Sequence, residues 1–172
     1  MWELMLCVFI KKTDFNYLHS RNSNSIPLGF AGYVGNKGGL CLQFSLYERS
    51  FCFINCHLTS GAETVEKRVQ MIADILKKIQ PKVTRTTHRI ETDSLHDFHF
   101  ILGDMNFRFN RTYTEHIAQL KQSADLIPKY DQLYEARIKS KRFPDYIEQP
   151  INFMPTYKRD DQSNTVYINK NE

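Results

Sequence analysis

The segment Ile101-Leu102-Gly103-Asp104-Met105-Asn106-Phe107-Arg108 places an aspartate and an asparagine two residues apart, directly after an apolar run and a glycine. Side chains two apart in an extended chain share a face, so a strand ending here would present a carboxylate and a carboxamide together. Such an aspartate can take the proton of an attacking water, and the asparagine can donate to a phosphate oxygen or to the nucleophile. The same residues equally suit an Asx turn that closes the strand. His57 ends a second run, Asn55-Cys56-His57-Leu58, where an imidazole can donate to an anionic phosphate or fill a purely structural place. Gly35-Asn36-Lys37-Gly38-Gly39 is a tight, glycine-bounded turn exposing backbone N–H groups and one ammonium. That suits a phosphate cradle, and a plain hairpin turn as well. In Phe153-Met154-Pro155-Thr156-Tyr157-Lys158 a proline stiffens the chain while a phenol and an ammonium project toward an anion.

These groups need strands and loops to hold them. Leu4 to Ile10 is a nearly continuous apolar run, the pattern of a strand covered on both faces. Thr13 to Ile26 is polar and rich in Asn and Ser, which reads as a loop, and extended structure is expected to resume at Gly29 to Val34. Leu40 to Leu46 and Phe51 to Leu58, separated by a polar turn at Glu48 to Ser50, read as an antiparallel pair. Ser60 to Glu63 has the form of a capping box, and Val65, Val69, Ile72, Leu76 and Ile79 fall at helical spacing as far as Pro81. Residues 82 to 97 read as a variable loop leading into a strand at Phe98 to Leu102. Short helices are expected over Thr114 to Gln122 and near Asp131 to Arg137. After Phe143, the prolines at 144, 150 and 155 rule out a long helix. The pattern predicts one domain over residues 1–172, an α/β (α+β) sandwich of packed mixed or antiparallel sheets flanked by helices, with catalytic groups on loops at the strand ends.

Composition narrows the function classes. Hydrophobic residues at 41% and charged residues at 24% match a globular domain and exclude a disordered or fibrous chain. A net charge of +4 favours a polyanionic partner without choosing among phosphorylated lipids, inositol phosphates and nucleic acids. The basic runs Lys82 to Arg89 and Arg137 to Arg142 read as solvated surface, with a peripheral membrane contact as the alternative. Cys7, Cys41, Cys52 and Cys56 lie in apolar runs with no CxxC pair, which reads as buried, reduced thiols and no zinc site. The N-terminus has neither the basic start nor the cleavage site of a signal peptide, and its apolar stretch is too short to cross a bilayer. A cytoplasmic location, membrane-associated or not, is the expectation.

Taken together and in order, Gly35-Asn36-Lys37-Gly38, Asn55-Cys56-His57-Leu58-Thr59-Ser60-Gly61, Gly103-Asp104-Met105-Asn106-Phe107-Arg108 and Pro155-Thr156-Tyr157-Lys158 resemble the inositol polyphosphate 5-phosphatase family of the endonuclease/exonuclease/phosphatase superfamily. The resemblance implies a four-layered fold with the active site at one rim, and magnesium-dependent hydrolysis of a ring phosphate on a phosphoinositide or soluble inositol phosphate. It implies that Asp104 activates the water, that Asn106 and His57 contact the scissile phosphate, and that Tyr157 and Lys158 hold a neighbouring ring phosphate. Lys37 and Asn36 would line the same mouth, and Arg108 would support the Asp104 loop. The wording His57-Leu58-Thr59-Ser60-Gly61 looks most like the branch acting on the 3,4,5-trisphosphorylated lipid.

The family's metal-ligating Glu, and its later Trp-(Cys/Thr)-Asp-Arg and Asp-His segments, have no counterpart in the 172 residues. The resemblance therefore covers the centre of a catalytic domain, and it assigns no metal ligand. Poor magnesium binding and little activity are expected of this stretch alone. Two alternatives carry their own discriminators: a nuclease of the same superfamily, which an abasic duplex would protect, and a non-catalytic remnant binding anionic lipid or a protein, whose binding would survive neutralising Lys37 and Lys158. No nucleic-acid partner is expected on the leading reading.

Overall fold

The computed structural model describes residues 4–29, 36–79, 96–110, 130–139, 141–143, 145–151 and 153. The chain forms two compact units, Met1–Asn106 and Phe107–Glu172. The first is built on a four-stranded sheet in the order β1 (Leu18–Pro27), β2 (Gly38–Leu46), β3 (Arg49–His57) and β4 (Phe98–Asp104). β1 to β3 run antiparallel, and β4 lies parallel to β3. Parallel neighbours need a crossover, and helix α1 (Val65–Lys78) lies in the connection between them.

The β2/β3 pair, α1 and β4 follow the sequence reading, with β4 continuing two residues further, to Asp104. The hairpin turn is Tyr47-Glu48, with φ of 48° and 63°. Positive φ at both central residues matches the right-handed twist of the strands, although neither residue is the Gly or Asn that usually marks such a turn.

One sheet face carries the core. Cys41, Gln43, Cys52, Ile54 and Cys56 are buried on it, and α1 covers it. Gly39 makes room for the helix: a Cβ at that position would come within 3.1 Å of the Ile75 side chain. Val69, Met71, Ile72 and Ile75 of α1 are buried, and removing any one of these side chains would leave a cavity costing on the order of 2–5 kcal/mol. Cys41 and Cys52 place their sulfurs 3.5 Å apart, and burial pushes the Cys56 thiol up to about 12, which keeps Cys56 neutral. Cys7, expected to be buried, is exposed. On the opposite face the rings of Phe44, Phe51, Phe53, Phe98 and Phe100 stack across the strands, with Phe51–Phe98 and Phe53–Phe100 centroids at 4.9 and 4.8 Å.

Three sequence expectations are corrected. The Asn/Ser-rich stretch expected to be a loop contains a 3-10 helix, Lys12–Tyr17, and strand β1. Among the described residues β1 pairs only with β2, and Ile26 alone of its side chains is buried, so polar side chains are tolerated along it, and Asn22 Nδ2 donates to Gln43 Oε1 at 2.8 Å. A bulge between His19 and Asn22, with Ser20 at φ 51°, absorbs its irregular register. Leu4 to Ile10 is not a strand: its side chains alternate between half-buried and exposed, Met5 and Phe9 being 79% and 93% exposed. No partner strand supplies it with a ladder among the described residues. The capping box does not form either. Thr64 is the N-cap, and its hydroxyl donates to the carbonyls of Ser60 and Gly61, both at 2.9 Å.

In the second unit Asp131 caps a helical turn, α2 (Gln132–Tyr134), through its carboxylate, and the chain continues as a π-helical segment, Glu135–Lys139. That agrees with the helix expected near Asp131. Arg137 donates to Glu148 and to the Tyr146 carbonyl, so the basic run beginning there is at least partly paired within the protein. The stretches expected as extended structure at 30–34, a loop at 82–95 and a helix at 114–122 lie outside the described residues. No helix among the described residues is long and apolar enough to cross a membrane.

Candidate functional site

Strand registry gathers the predicted groups. Pro27 pairs with Gly38, Gly38 with His57, and His57 with Asp104, a single row across the four strands at one end of the sheet. β2 begins on that row, whereas β3 and β4 end on it. The Lys37–Gly39 segment, the His57 segment and the Asp104 segment therefore meet there, although Lys37, His57 and Asp104 are separated by 20 to 67 residues in sequence. Leu28 N–H donates to the Lys37 carbonyl at 2.8 Å, fastening the base of the β1–β2 connection beside it.

Within the row, the Lys37 ammonium contacts His57 Nε2. An ammonium only donates, so in this pairing Nε2 accepts. His57 Nε2 also lies 3.8 Å from Asp104 Oδ2, a charge-pair approach too long for a hydrogen bond. His57 is mostly enclosed, its side chain 18% exposed, while that of Asp104 is 66% exposed. The carboxylate is thus open to water and to a ligand.

Asp104 and Asn106 are brought together by a turn, not by extended chain. β4 ends at Asp104, Asn106 takes φ 54°, and the Asn106 N–H donates to Asp104 Oδ1 at 3.1 Å. Asp104 Oδ1 thus closes an Asx turn while Oδ2 faces His57. Asn106 Nδ2 donates to the Leu58 carbonyl at 2.9 Å, and the Leu58 N–H donates to the Asp104 carbonyl at 3.0 Å. Leu58, fully buried, ties the loop after His57 to the loop after Asp104.

Gly103 allows this approach. Its φ is 113°, and a Cβ there would collide with the Cys56 carbonyl oxygen and Asn55 Oδ1. Sequence reasoning overlooked Arg68, whose side chain is wholly buried and binds the loop following His57. The available signal was an arginine set three residues after Val65 and four before Ile72, on the apolar stripe of the helix.

Asn36 is half-buried at the mouth. Arg108 is exposed, and its main chain pairs with Gln132, the N–H donating to Gln132 Oε1 at 2.9 Å and the carbonyl accepting from the Gln132 N–H at 3.0 Å. Tyr157 and Lys158 lie outside the described residues. Among the described residues, no three His, Cys, Asp or Glu side chains gather closely enough to hold a metal ion. Asp104, His57 and Asn106 do not by themselves compose a divalent-cation site.

Comparison with known proteins agrees with the geometry. The chain is 31% identical over 170 residues to phosphatidylinositol 3,4,5-trisphosphate 5-phosphatase 2A of Danio rerio, an alignment covering 98% of this chain and 13% of that protein. The inositol polyphosphate 5-phosphatase domain of SPsynaptojanin, solved in complex with inositol (1,4)-bisphosphate and calcium ion, superposes with a TM-score of 0.75 at 26% identity, over 91% of this chain and 44% of that one. The architecture is thus the α/β sandwich of that domain, of which the described sheet is a part. A Cimex nitrophorin shares the fold with a TM-score of 0.60 at 22% identity, over 90% of this chain and 50% of that one. The fold by itself therefore does not select a chemistry. A profile described as endonuclease/exonuclease/phosphatase family 2 matches residues 1–172, so the chain belongs to that family, with inositol polyphosphate 5-phosphatases among its relatives.

Proposed function

We propose that this chain carries the phosphate-binding rim of a phosphoinositide or inositol polyphosphate 5-phosphatase, which hydrolyses a ring phosphate monoester with an activated water. The observation that carries the reading is the convergence of Lys37, His57, Asp104 and Asn106 on one end of the sheet. In this reading Asp104 Oδ2 takes a proton from water as the water oxygen bonds to phosphorus and the phosphorus–ring oxygen bond breaks. The departing ring oxygen takes a proton from solvent, and Asp104 releases the one it accepted to solvent. An arriving phosphate competes for the Lys37 ammonium, and releasing His57 Nε2 from that contact frees the imidazole to face a phosphate oxygen. Asn106 completes the donor set, and its carboxamide is aimed by the bond to the Leu58 carbonyl.

Asn36 at the mouth, Tyr157 and Lys158 on a neighbouring ring phosphate, and Arg108 as a support of the Asp104 loop belong to the same proposal. So do magnesium as the cation and a cytoplasmic, membrane-peripheral setting. Since the described residues do not make a cation site, no step above passes through the metal.

Thermal unfolding tests the reading, with inositol (1,4,5)-trisphosphate or an abasic DNA duplex added, each with and without magnesium. The inositol phosphate should raise the midpoint, by about 2.7 kcal/mol of added stability at a hundredfold excess over its dissociation constant. Protection by the duplex alone, or by neither, would overturn it.

A further inference from the structure

Arg68 lies in the first turns of α1, and none of its surface reaches solvent. Burying a guanidinium costs several kcal/mol unless hydrogen bonds replace its water. Here Nη1 donates to the Gly61 carbonyl at 2.6 Å, to the Thr64 hydroxyl at 2.7 Å and to the Thr59 carbonyl at 3.3 Å. All three acceptors belong to the loop that leaves β3 immediately after His57 and Leu58. The Thr64 hydroxyl in turn donates to the Ser60 and Gly61 carbonyls, so arginine and threonine together tie the loop closed. Buried and turned toward these acceptors, the guanidinium is not placed to meet a phosphate arriving from solvent.

What the loop holds explains the arrangement. Leu58, the residue before it, accepts from Asn106 Nδ2 and donates to the Asp104 carbonyl. A shift of the loop moves the Leu58 carbonyl, and with it the acceptor that orients the Asn106 carboxamide. We propose that Arg68 is a positioning residue of this site, fixing the Thr59–Thr64 loop and, through Leu58, the direction of the Asn106 side chain. The inference deepens the phosphatase reading and rests on it for the claim that this orientation serves phosphate binding.

The test uses the 172-residue chain with Arg68→Met, which keeps the stem and removes the fork, Arg68→Lys, and Thr64→Val, which removes one acceptor. In nitrogen-15 NMR without ligand, Arg68→Met should leave the β2, β3 and β4 amides in place while displacing or broadening the Asn106 side-chain resonance. Its affinity for inositol (1,4,5)-trisphosphate should fall at least tenfold, with partial recovery in Arg68→Lys. Combined with Asn106→Ala, the arginine change should add no further loss, because both act through one group. An unchanged Asn106 resonance together with unchanged affinity, or losses that multiply in the double variant, would overturn the proposal. If Arg68→Met does not fold, Thr64→Val decides: a displaced Asn106 resonance supports the role, and an unmoved one refutes it. Failure of the unaltered chain to bind the trisphosphate would sink the phosphatase reading, while the ligand-free resonance would still judge the positioning role.

Discussion

Asn106 holds a left-handed backbone conformation at φ 54°, which asparagine tolerates better than most side chains, and this places its amide N–H on Asp104 and its carboxamide on Leu58. The residue types at the site, Asp104, Asn106, His57 and Lys37, are legible in the sequence because each ends an apolar run or sits between glycines. Their bonds are not, since they depend on a turn geometry that no spacing announces. The same scale yields a pH prediction away from the site. Asn22, Gln43 and His96 form a polar chain, Gln43 meeting His96 Nε2 at 3.1 Å, and His99 lies beside it with ring centroids 5.9 Å apart. Burial, with His96 as the second cause, pushes His99 down to about 4. The unfolded chain titrates this group near 6.5, so as pH falls from 6.5 toward 4 the unfolded state takes up a proton that the folded state refuses, and stability is lost. After allowance for screening of a half-buried side chain, the loss attributable to His99 between pH 7.5 and 5 should be about 1 kcal/mol. Urea unfolding of the chain and of His99→Asn at both pH values checks this. An equal pH dependence in the two would contradict it.

At the scale of elements, what was legible had its own periodicity. Alternation marked β2 and β3, helical spacing marked α1, and an apolar run ending in Gly-Asp marked the end of β4. β1 was hidden because a strand with a mostly exposed surface, and one neighbour among the described residues, needs no apolar pattern. Leu4 to Ile10 misled in the opposite sense, since an apolar run predicts a strand only where a partner ladder is available. The capping box failed because the helix starts only at Val65, with Thr64 as its N-cap, while Thr64 and Arg68 bind the carbonyls of the loop before it. β3 and β4 approach closely only because residue 103 lacks a Cβ. Gly103→Ala should therefore destabilise the chain by at least about 2 kcal/mol through backbone strain and collision with the Cys56 carbonyl. Chemical denaturation measures this directly, and a change below about 0.5 kcal/mol would show that the strands relax without cost.

For the molecule as a whole, the two sheet faces differ. One is covered by α1, while the stacked phenylalanine face leaves Phe98, Phe100 and Leu102 at 46%, 44% and 41% exposure. A contiguous apolar surface of this kind binds hydrophobic dyes and associates in water. The 172-residue chain should bind an anilinonaphthalene dye and elute earlier from a sizing column as its concentration rises, and Phe98→Thr with Phe100→Thr should reduce both effects. Dye binding and elution unchanged by that pair of substitutions would place the apolar surface elsewhere. The chain spans 13% of the length of the curated relative and 44% of the solved one.

Nitrogen-15 NMR during titration with inositol (1,4,5)-trisphosphate tests the central claim most directly, namely that Lys37, His57, Asp104 and Asn106 form one phosphate-binding mouth. The account predicts that the Gly38 and Leu58 amides, the His57 ring and the Asn106 carboxamide shift together along a single binding curve, which Lys37→Met weakens at least tenfold. Shifts confined to residues away from that row, or an unaltered curve in Lys37→Met, would contradict it.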